Sequence, residues 1–404
     1  MNINSMENSP YAVEKFKDLK QYIEINDFKI GGEYNLNKKK EFEYGGVNGT
    51  TLENLNLPPV QTSYITLGNK KFDKNGEVNN AILICPYYSG DSTNMLDFWG
   101  EEGDRTDFSG GVYIGSGKVF DTDKYFIIIA DALGLWGASR PGDSHPGKDY
   151  GRQLGIDFPH YSMFDCVQLM YRMLKDELGV NHLKLVTGVS LGGSLTYAWS
   201  VLHPEFMDAI LPIGGTIYQD KGMVRWLFDL MTQAIKSDEI YRSTKGIYYD
   251  RPRLKQPILG NMFGWSILKQ SAFVDELRVK QSIDEYMLEG FDWEESAKVV
   301  ETQGILPGWG HKLYDLSVQT DANDMIYRNS CQTSFNIEHE LSRIKAKTLI
   351  IHVETDQWIQ FHIAKQAHTS IKHSELKSFS HDFGHYAVFL VPGMFEKEIR
   401  DLLE

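Results

Sequence analysis

Short apolar runs alternate with amphipathic stretches along most of this chain. Gln61–Leu67 and Asn80–Pro86 read as strands on either side of a turn-rich segment, Gly68–Val78. Tyr125–Ala130 is a continuous apolar run, the pattern of a strand buried on both faces, and Leu183–Val186 and Ala209–Ile213 read as two more buried strands. Residues 162–178 set Met163, Cys166, Val167, Met170, Met173 and Leu174 at helical spacing, and Ser194–Leu202 reads as another helix. Near the C-terminus Thr348–Val353, a helical stretch at 361–371 and Glu375–Phe379 repeat the rhythm. Strands alternating with helices predict an α/β fold with a mostly parallel central sheet and right-handed crossovers.

The rhythm stops between Gly215 and about Glu338. This stretch is rich in aromatics and methionine, and its breaks at Pro252, Pro257 and Pro307 predict several helices. Because the strand pattern resumes at Lys347, the helices read as a cap inserted into one domain, with a separate helical domain as the alternative. The expected organisation is a polar, partly ordered lead-in at 1–57, a first core part at 58–215, the cap at 216–338, and a second core part at 339–404.

Composition narrows the class. A chain of 404 residues that is 42% hydrophobic can bury a sizeable core. A net charge of −14 argues against a nucleic-acid groove or an anionic membrane surface as partner, and Lys38–Lys40 reads as a solvated loop. The polar N-terminus has no apolar leader segment, and no run approaches bilayer length, so a cytoplasmic protein is expected. The three cysteines, Cys85, Cys166 and Cys331, lack metal-ligand spacing and read as buried free thiols in a reducing compartment. No His-x-x-x-His pair with a third ligand and no phosphate-cradling glycine loop is present, so neither a metal nor a resident cofactor is expected.

The chemistry concentrates at Gly188-Val-Ser-Leu-Gly-Gly193. An apolar run precedes it and a helix follows, so Ser190 sits at the apex of a strand–turn–helix. Small residues on either side let the backbone turn sharply enough to lift the serine hydroxyl above the sheet edge, as a nucleophile needs. Such a serine requires a base, and the base an acid that fixes its tautomer, in the order Ser, acid, His, each past a strand end. Thr348–Val353 runs into Glu354-Thr355-Asp356, which makes Asp356 the candidate acid, with Glu354 as rival. The strand ending at Phe379 leads to His381 and His385; His385, preceded by Gly384, is the candidate base and His381 its rival. An oxyanion would be held by two backbone N–H groups, one from Leu191 and one from the loop Pro86-Tyr87-Tyr88-Ser89-Gly90, with Tyr88 as candidate. Tyr87 and Tyr88 are also candidates for lining the pocket.

These segments together resemble the homoserine O-acetyltransferase family of α/β-hydrolase-fold enzymes. The resemblance rests on Phe120–Phe126 through Ala132-Leu133-Gly134, on Gly137–Pro141, on Asp157-Phe158-Pro159 with Asp165 and Leu178-Gly179-Val180, on the elbow at Gly188–Gly193, on Asp321-Ala322-Asn323-Asp324 through Tyr327, and on Gly384-His385. It covers roughly residues 60–395. It implies a triad of Ser190, Asp356 and His385, a ping-pong acyl-enzyme mechanism, and a dimer formed through the caps.

Two departures bear on substrate. The family's cap arginine, which grips the homoserine carboxylate, would fall at Thr232 in the stretch Met231–Asp238, leaving a carboxylate without its charge-assisted fork. Arg225 or Arg242 is the candidate to substitute. The family's aspartate after the histidine is Tyr386 here. The cap aromatics Trp226, Trp265, Trp293 and Trp309 suggest a screened apolar pocket. The expectation is therefore a serine-dependent enzyme that hydrolyses a small acyl ester or acylates an acceptor other than homoserine. The alternative is a homoserine O-acetyltransferase-type enzyme using acyl-CoA as co-substrate. A non-catalytic binding scaffold would be expected to have lost one triad member, and none is lost.

Overall fold

The computed structural model describes residues 14–30, 60–100, 112–144, 153–252, 255–270 and 317–404. Lys38–Lys40, Trp293, Pro307 and Trp309 lie outside them. Eight strands form the central sheet: β1 (Gln21–Ile25), β2 (Val60–Leu67), β3 (Ala81–Cys85), β4 (Phe126–Ala130), β5 (Leu183–Val189), β6 (Met207–Ile213), β7 (Lys347–Val353) and β8 (Ser374–Phe379). Their spatial order is β1-β2-β4-β3-β5-β6-β7-β8. Only β2 runs against the rest, pairing antiparallel with both β1 and β4.

The strands predicted from continuous apolar runs are the central ones. Every residue of β3 and β4 is buried, because helices cover both faces. Alternate residues face two separate cores. Leu83, Ile128, Val186 and Ile210 pack on one side with α2 (Met163–Arg172) and α3 (Leu191–Leu202). Ile82, Ile127, Leu185 and Leu211 pack on the other with α1 (Ser92–Trp99) and the C-terminal helix Glu396–Leu403. Side-chain oxygens start the first two helices: Asp91 and Asn94 form a reciprocal cap on α1, Ser162 and Asp165 on α2. The helical pattern at 162–178 continues past α2 as a π-helical turn, Met173–Glu177. The three cysteines are free and buried, as expected.

Helices α4 (Gly222–Ser237), α5 (Glu239–Thr244), α6 (Ile258–Gln270) and α7 (Ala322–Thr333) fall inside the segment read as a cap. The Asp321-Ala-Asn-Asp324 stretch explains itself here. Asp321 caps α7 and accepts hydrogen bonds from the hydroxyls of Tyr248 and Tyr249. Asp324 accepts from the Gly142 N–H at 2.6 Å and pairs with buried Arg140 at 3.2 Å, which ties α7 to the core loop. Of the cap tryptophans, Trp265 is fully buried, but Trp226 is 59% exposed and screens nothing.

The segment read as lead-in does more than precede the core. A 3₁₀ turn at Glu14–Leu19 and β1 add the edge of the sheet, and between them Lys20 is buried against two carboxylates. Its ammonium lies 2.8 Å from Asp91 and 3.1 Å from Asp131. Asp131 also accepts the Ser92 N–H and the hydroxyls of Ser63 and Ser92. The cluster pins the start of α1, immediately after the loop Pro86–Gly90. Burial, joined by the Asp91 charge and opposed by Lys20, pushes Asp131 up to about 6. Burial works the same way on Asp91, but Lys20 and the cap donors prevail and hold it low.

Lys20→Met should therefore destabilise the protein by about 3–5 kcal/mol, since it leaves buried carboxylates without their cation. The cost should grow with pH. With Lys20 present Asp131 titrates at about 6, above its unfolded value, so it is charged and paired with Lys20 at pH 8 but largely neutral at pH 5, and the mutation forfeits that ion pair chiefly at the higher pH. Urea unfolding of both proteins at the two pH values measures this; an equal loss at both would exclude Asp131 as the group left unpaired.

Candidate active site

The elbow turns as its sequence dictates. Ser190 adopts φ 56° and ψ −118°, a conformation non-glycine residues rarely enter, between the end of β5 and the start of α3. Its glycine neighbours are required by contact. A Cβ on Gly192 would lie 2.5 Å from the Cys85 carbonyl oxygen, and one on Gly193 would lie 2.7 Å from that of Ile213. Strands β3 and β6 thus approach the turn closely enough for the Ser190 N–H to donate to Ile213 at 2.9 Å.

The three residues predicted from distant strand ends meet here. His385 Nε2 lies 2.7 Å from Ser190 Oγ, and His385 Nδ1 lies 2.6 Å from Asp356 Oδ2. His385 and Asp356 are 2% and 5% exposed, so the pair is shielded from competing water. The Asp356 loop is held by its own backbone: Oδ1 accepts the N–H groups of Trp358 (2.8 Å) and Ile359 (3.0 Å). Beneath it, burial lowers the pKa of His352, which as a neutral imidazole donates Nε2–H to the Ile359 carbonyl at 2.7 Å. A serine hydroxyl so placed can pass its proton to the imidazole, and the carboxylate keeps the imidazole in the accepting tautomer.

The rival residues face elsewhere. Glu354 accepts hydrogen bonds from Ser378 on β8 and from Ser380 just past its end. His381 uses Nδ1 to accept from the Phe383 N–H. Leu191 is the first residue of α3, where an N–H has no acceptor within the helix. Tyr88 is buried in the turn after β3, its ring stacked on Phe228 at 5.4 Å. Its hydroxyl donates to Asn329 at 2.7 Å, and the Asn329 amide donates to the Thr232 hydroxyl at 3.1 Å. Tyr87 turns to the opposite core and packs edge-on against Phe98 and Phe389.

The charged candidates Arg225 and Arg242 lie on α4 and α5. Arg225 lies half-exposed on α4, bonded to Asp229 at 2.7 Å and to the Thr333 carbonyl. Arg242 is exposed on α5. Tyr386 and His385 both neighbour the Trp358 ring, the latter at 4.4 Å between centroids. Sequence reasoning missed Trp358, Asn329 and Arg328. The first follows Asp356 by two positions, and the other two follow the recognised Asp321–Asp324 stretch on the same helix. Arg328 is buried and donates to the carbonyls of Tyr88 and Gly134, each at 3.2 Å.

Among the described residues no group of three or more potential metal ligands occurs, and no helix is long and apolar enough to cross a membrane. Comparison with known proteins agrees with the fold. Esterase E22 superposes with a TM-score of 0.71 at 21% identity, covering 95% of this chain and 99% of that one. The homoserine O-acetyltransferase from Bacillus anthracis gives 0.70 at 21%, covering 95% and 97%. The chain is an enzyme of the α/β-hydrolase fold, of the hydrolase and acyltransferase kind. No protein-family model matches it. The homoserine O-acetyltransferase of Haemophilus influenzae is 29% identical over 361 residues, 85% of this chain and 93% of that protein. In sequence the chain is thus similar to homoserine O-acetyltransferases.

Proposed function

We propose that the protein is a serine-dependent acyl-transfer enzyme that hydrolyses a small uncharged acyl ester or acylates an acceptor other than homoserine. Ser190 attacks the acyl carbonyl, His385 takes its proton and returns it to the leaving alcohol, and Asp356 orients the imidazole and offsets its charge. The backbone N–H groups of Leu191 and Tyr88 receive the developing oxyanion. Water or an alcohol then resolves the acyl-enzyme, with His385 acting as base a second time.

The observation that carries the chemistry is the relay of 2.7 Å and 2.6 Å contacts through His385. The choice of substrate rests on Thr232. The position of the family's carboxylate-gripping arginine holds a neutral chain, Thr232–Asn329–Tyr88, and Arg225 is bonded to Asp229 instead. A carboxylate brought to Thr232 would meet a hydroxyl in place of a bidentate guanidinium, which disfavours homoserine as acceptor. The same reading gives a cytoplasmic enzyme without a resident cofactor, and a dimer through the caps on the family's pattern. The second reading, a homoserine O-acetyltransferase with an acyl-CoA donor, is favoured by the 29% identity to that enzyme.

A thiol-release assay separates the two. With acetyl-CoA as donor, homoserine should leave the rate of free-thiol formation unchanged, whereas p-nitrophenyl acetate should be turned over. A homoserine-dependent rise in thiol release would establish the second reading.

A further inference from the structure

The turn after β3 carries one main-chain donor that the fold does not use. Tyr88 is buried, yet its N–H donates to no acceptor among the described residues. The rest of the residue is held at three points. The Tyr87 carbonyl, which shares a trans peptide with that N–H, accepts from the Gly90 N–H at 3.3 Å. The two ends of one planar peptide point opposite ways, so this bond aims the Tyr88 N–H away from Gly90. The Tyr88 carbonyl accepts from Arg328 Nη1 at 3.2 Å, and the Tyr88 hydroxyl donates to Asn329 Oδ1 at 2.7 Å. These two partners are consecutive residues of α7. Each is braced in turn. Arg328 Nη2 donates to the Gly134 carbonyl in the loop after β4 at 3.2 Å, and its guanidinium lies 4.3 Å over the Trp136 ring. The Asn329 NH₂ donates to the Thr232 hydroxyl at 3.1 Å and to the Phe228 carbonyl at 3.4 Å, which leaves the amide oxygen to Tyr88. Among the described residues Arg328 makes no ion pair, and burying a guanidinium is costly. That cost has a reason if a planar fork is needed to span the two loops.

We propose that Arg328 and Asn329 are positioning residues that aim the Tyr88 N–H at the acyl oxygen in the transition state. The proposal rests on the reading of Tyr88 as the second oxyanion donor. Such a donor helps only from the place where the oxyanion comes to lie, and losing one costs about 10²–10³-fold in kcat. Without the two α7 residues, Tyr88 keeps only the Gly90 bond of the three, and its peptide is free to tilt. Helix α7 is a firm base for this task, because Asp324, one turn earlier, ties it to Arg140 and the Gly142 N–H. A segment of the cap thereby completes the catalytic geometry of the core.

Steady-state kinetics of the full chain with p-nitrophenyl acetate tests it. Tyr88→Phe and Asn329→Ala break the same hydrogen bond. Each should lower kcat about tenfold with KM little changed, and the double variant should lose no more than either alone. Arg328→Lys keeps the charge but cannot span both carbonyls, and should also lose about tenfold in kcat at nearly constant KM. A purely structural role would lower the melting temperature and leave kcat of the folded protein unchanged. Crystals of the unmutated protein soaked with an alkyl trifluoromethyl ketone, which Ser190 would convert to a hemiketal, locate the oxyanion. Its oxygen should lie within hydrogen-bond distance of the Tyr88 nitrogen. An oxygen bound elsewhere, or no adduct, overturns the reading of the site and the proposal with it. With the oxygen on Tyr88, unchanged kcat in Tyr88→Phe and Arg328→Lys overturns the proposal alone. So does a double variant whose loss is the product of the single losses.

Discussion

Ser190→Ala should lower kcat/KM for p-nitrophenyl acetate on the order of 10⁴-fold or more, with the fold unchanged. The loss follows from the proposed mechanism, because no other group would stand 2.7 Å from His385 Nε2 to accept the acyl group. Stability should barely move: alanine inherits the same φ of 56° and removes a hydroxyl that has no part in the core. Ser190→Gly makes the useful contrast. It should be equally inactive yet about 1 kcal/mol more stable, since glycine enters this conformation without the strain that serine bears. The pair separates chemistry from folding. An alanine mutant that keeps more than a tenth of the original rate would remove Ser190 from the role of nucleophile.

How far the site was legible depended on whether the signal was local. The elbow was, because its glycines are demanded by neighbouring backbone at β3 and β6, and a close approach leaves a mark in sequence. The central strands were, because a strand covered on both faces must be apolar throughout. Asp356 and His385 were readable from strand order, with Glu354 and His381 separated from them only by side-chain direction. Strand β1 was not legible: as an edge strand with one outer face it carries too little apolar pattern, and the decisive residue beside it is Lys20, whose partners lie 71 and 111 positions away. Arg225 looked available because sequence does not reveal its Asp229 partner's effect on direction; in the fold the two close a surface pair on α4. Arg328 and Asn329 were missed because nothing local marks a helix position that meets a loop more than 200 residues earlier.

Asp356→Asn should cost about 10⁴-fold in kcat while KM changes little. In the native loop Oδ1 is committed to the N–H groups of Trp358 and Ile359, which only an oxygen can accept. The asparagine amide must therefore keep its oxygen there and turn its NH₂ toward His385 Nδ1. A donor at that place converts Nδ1 into an acceptor and moves the ring proton to Nε2, facing Ser190. The imidazole then has no lone pair to receive the serine proton, so the geometry survives while the chemistry stops. Glu354→Gln should stay within about twofold of the original rate, because its two oxygens serve Ser378 on β8 and Ser380 just past its end, away from the imidazole. Steady-state kinetics on the two mutants with one ester substrate decides the assignment. A large loss in Glu354→Gln beside an active Asp356→Asn would move the acid from the loop to the strand end.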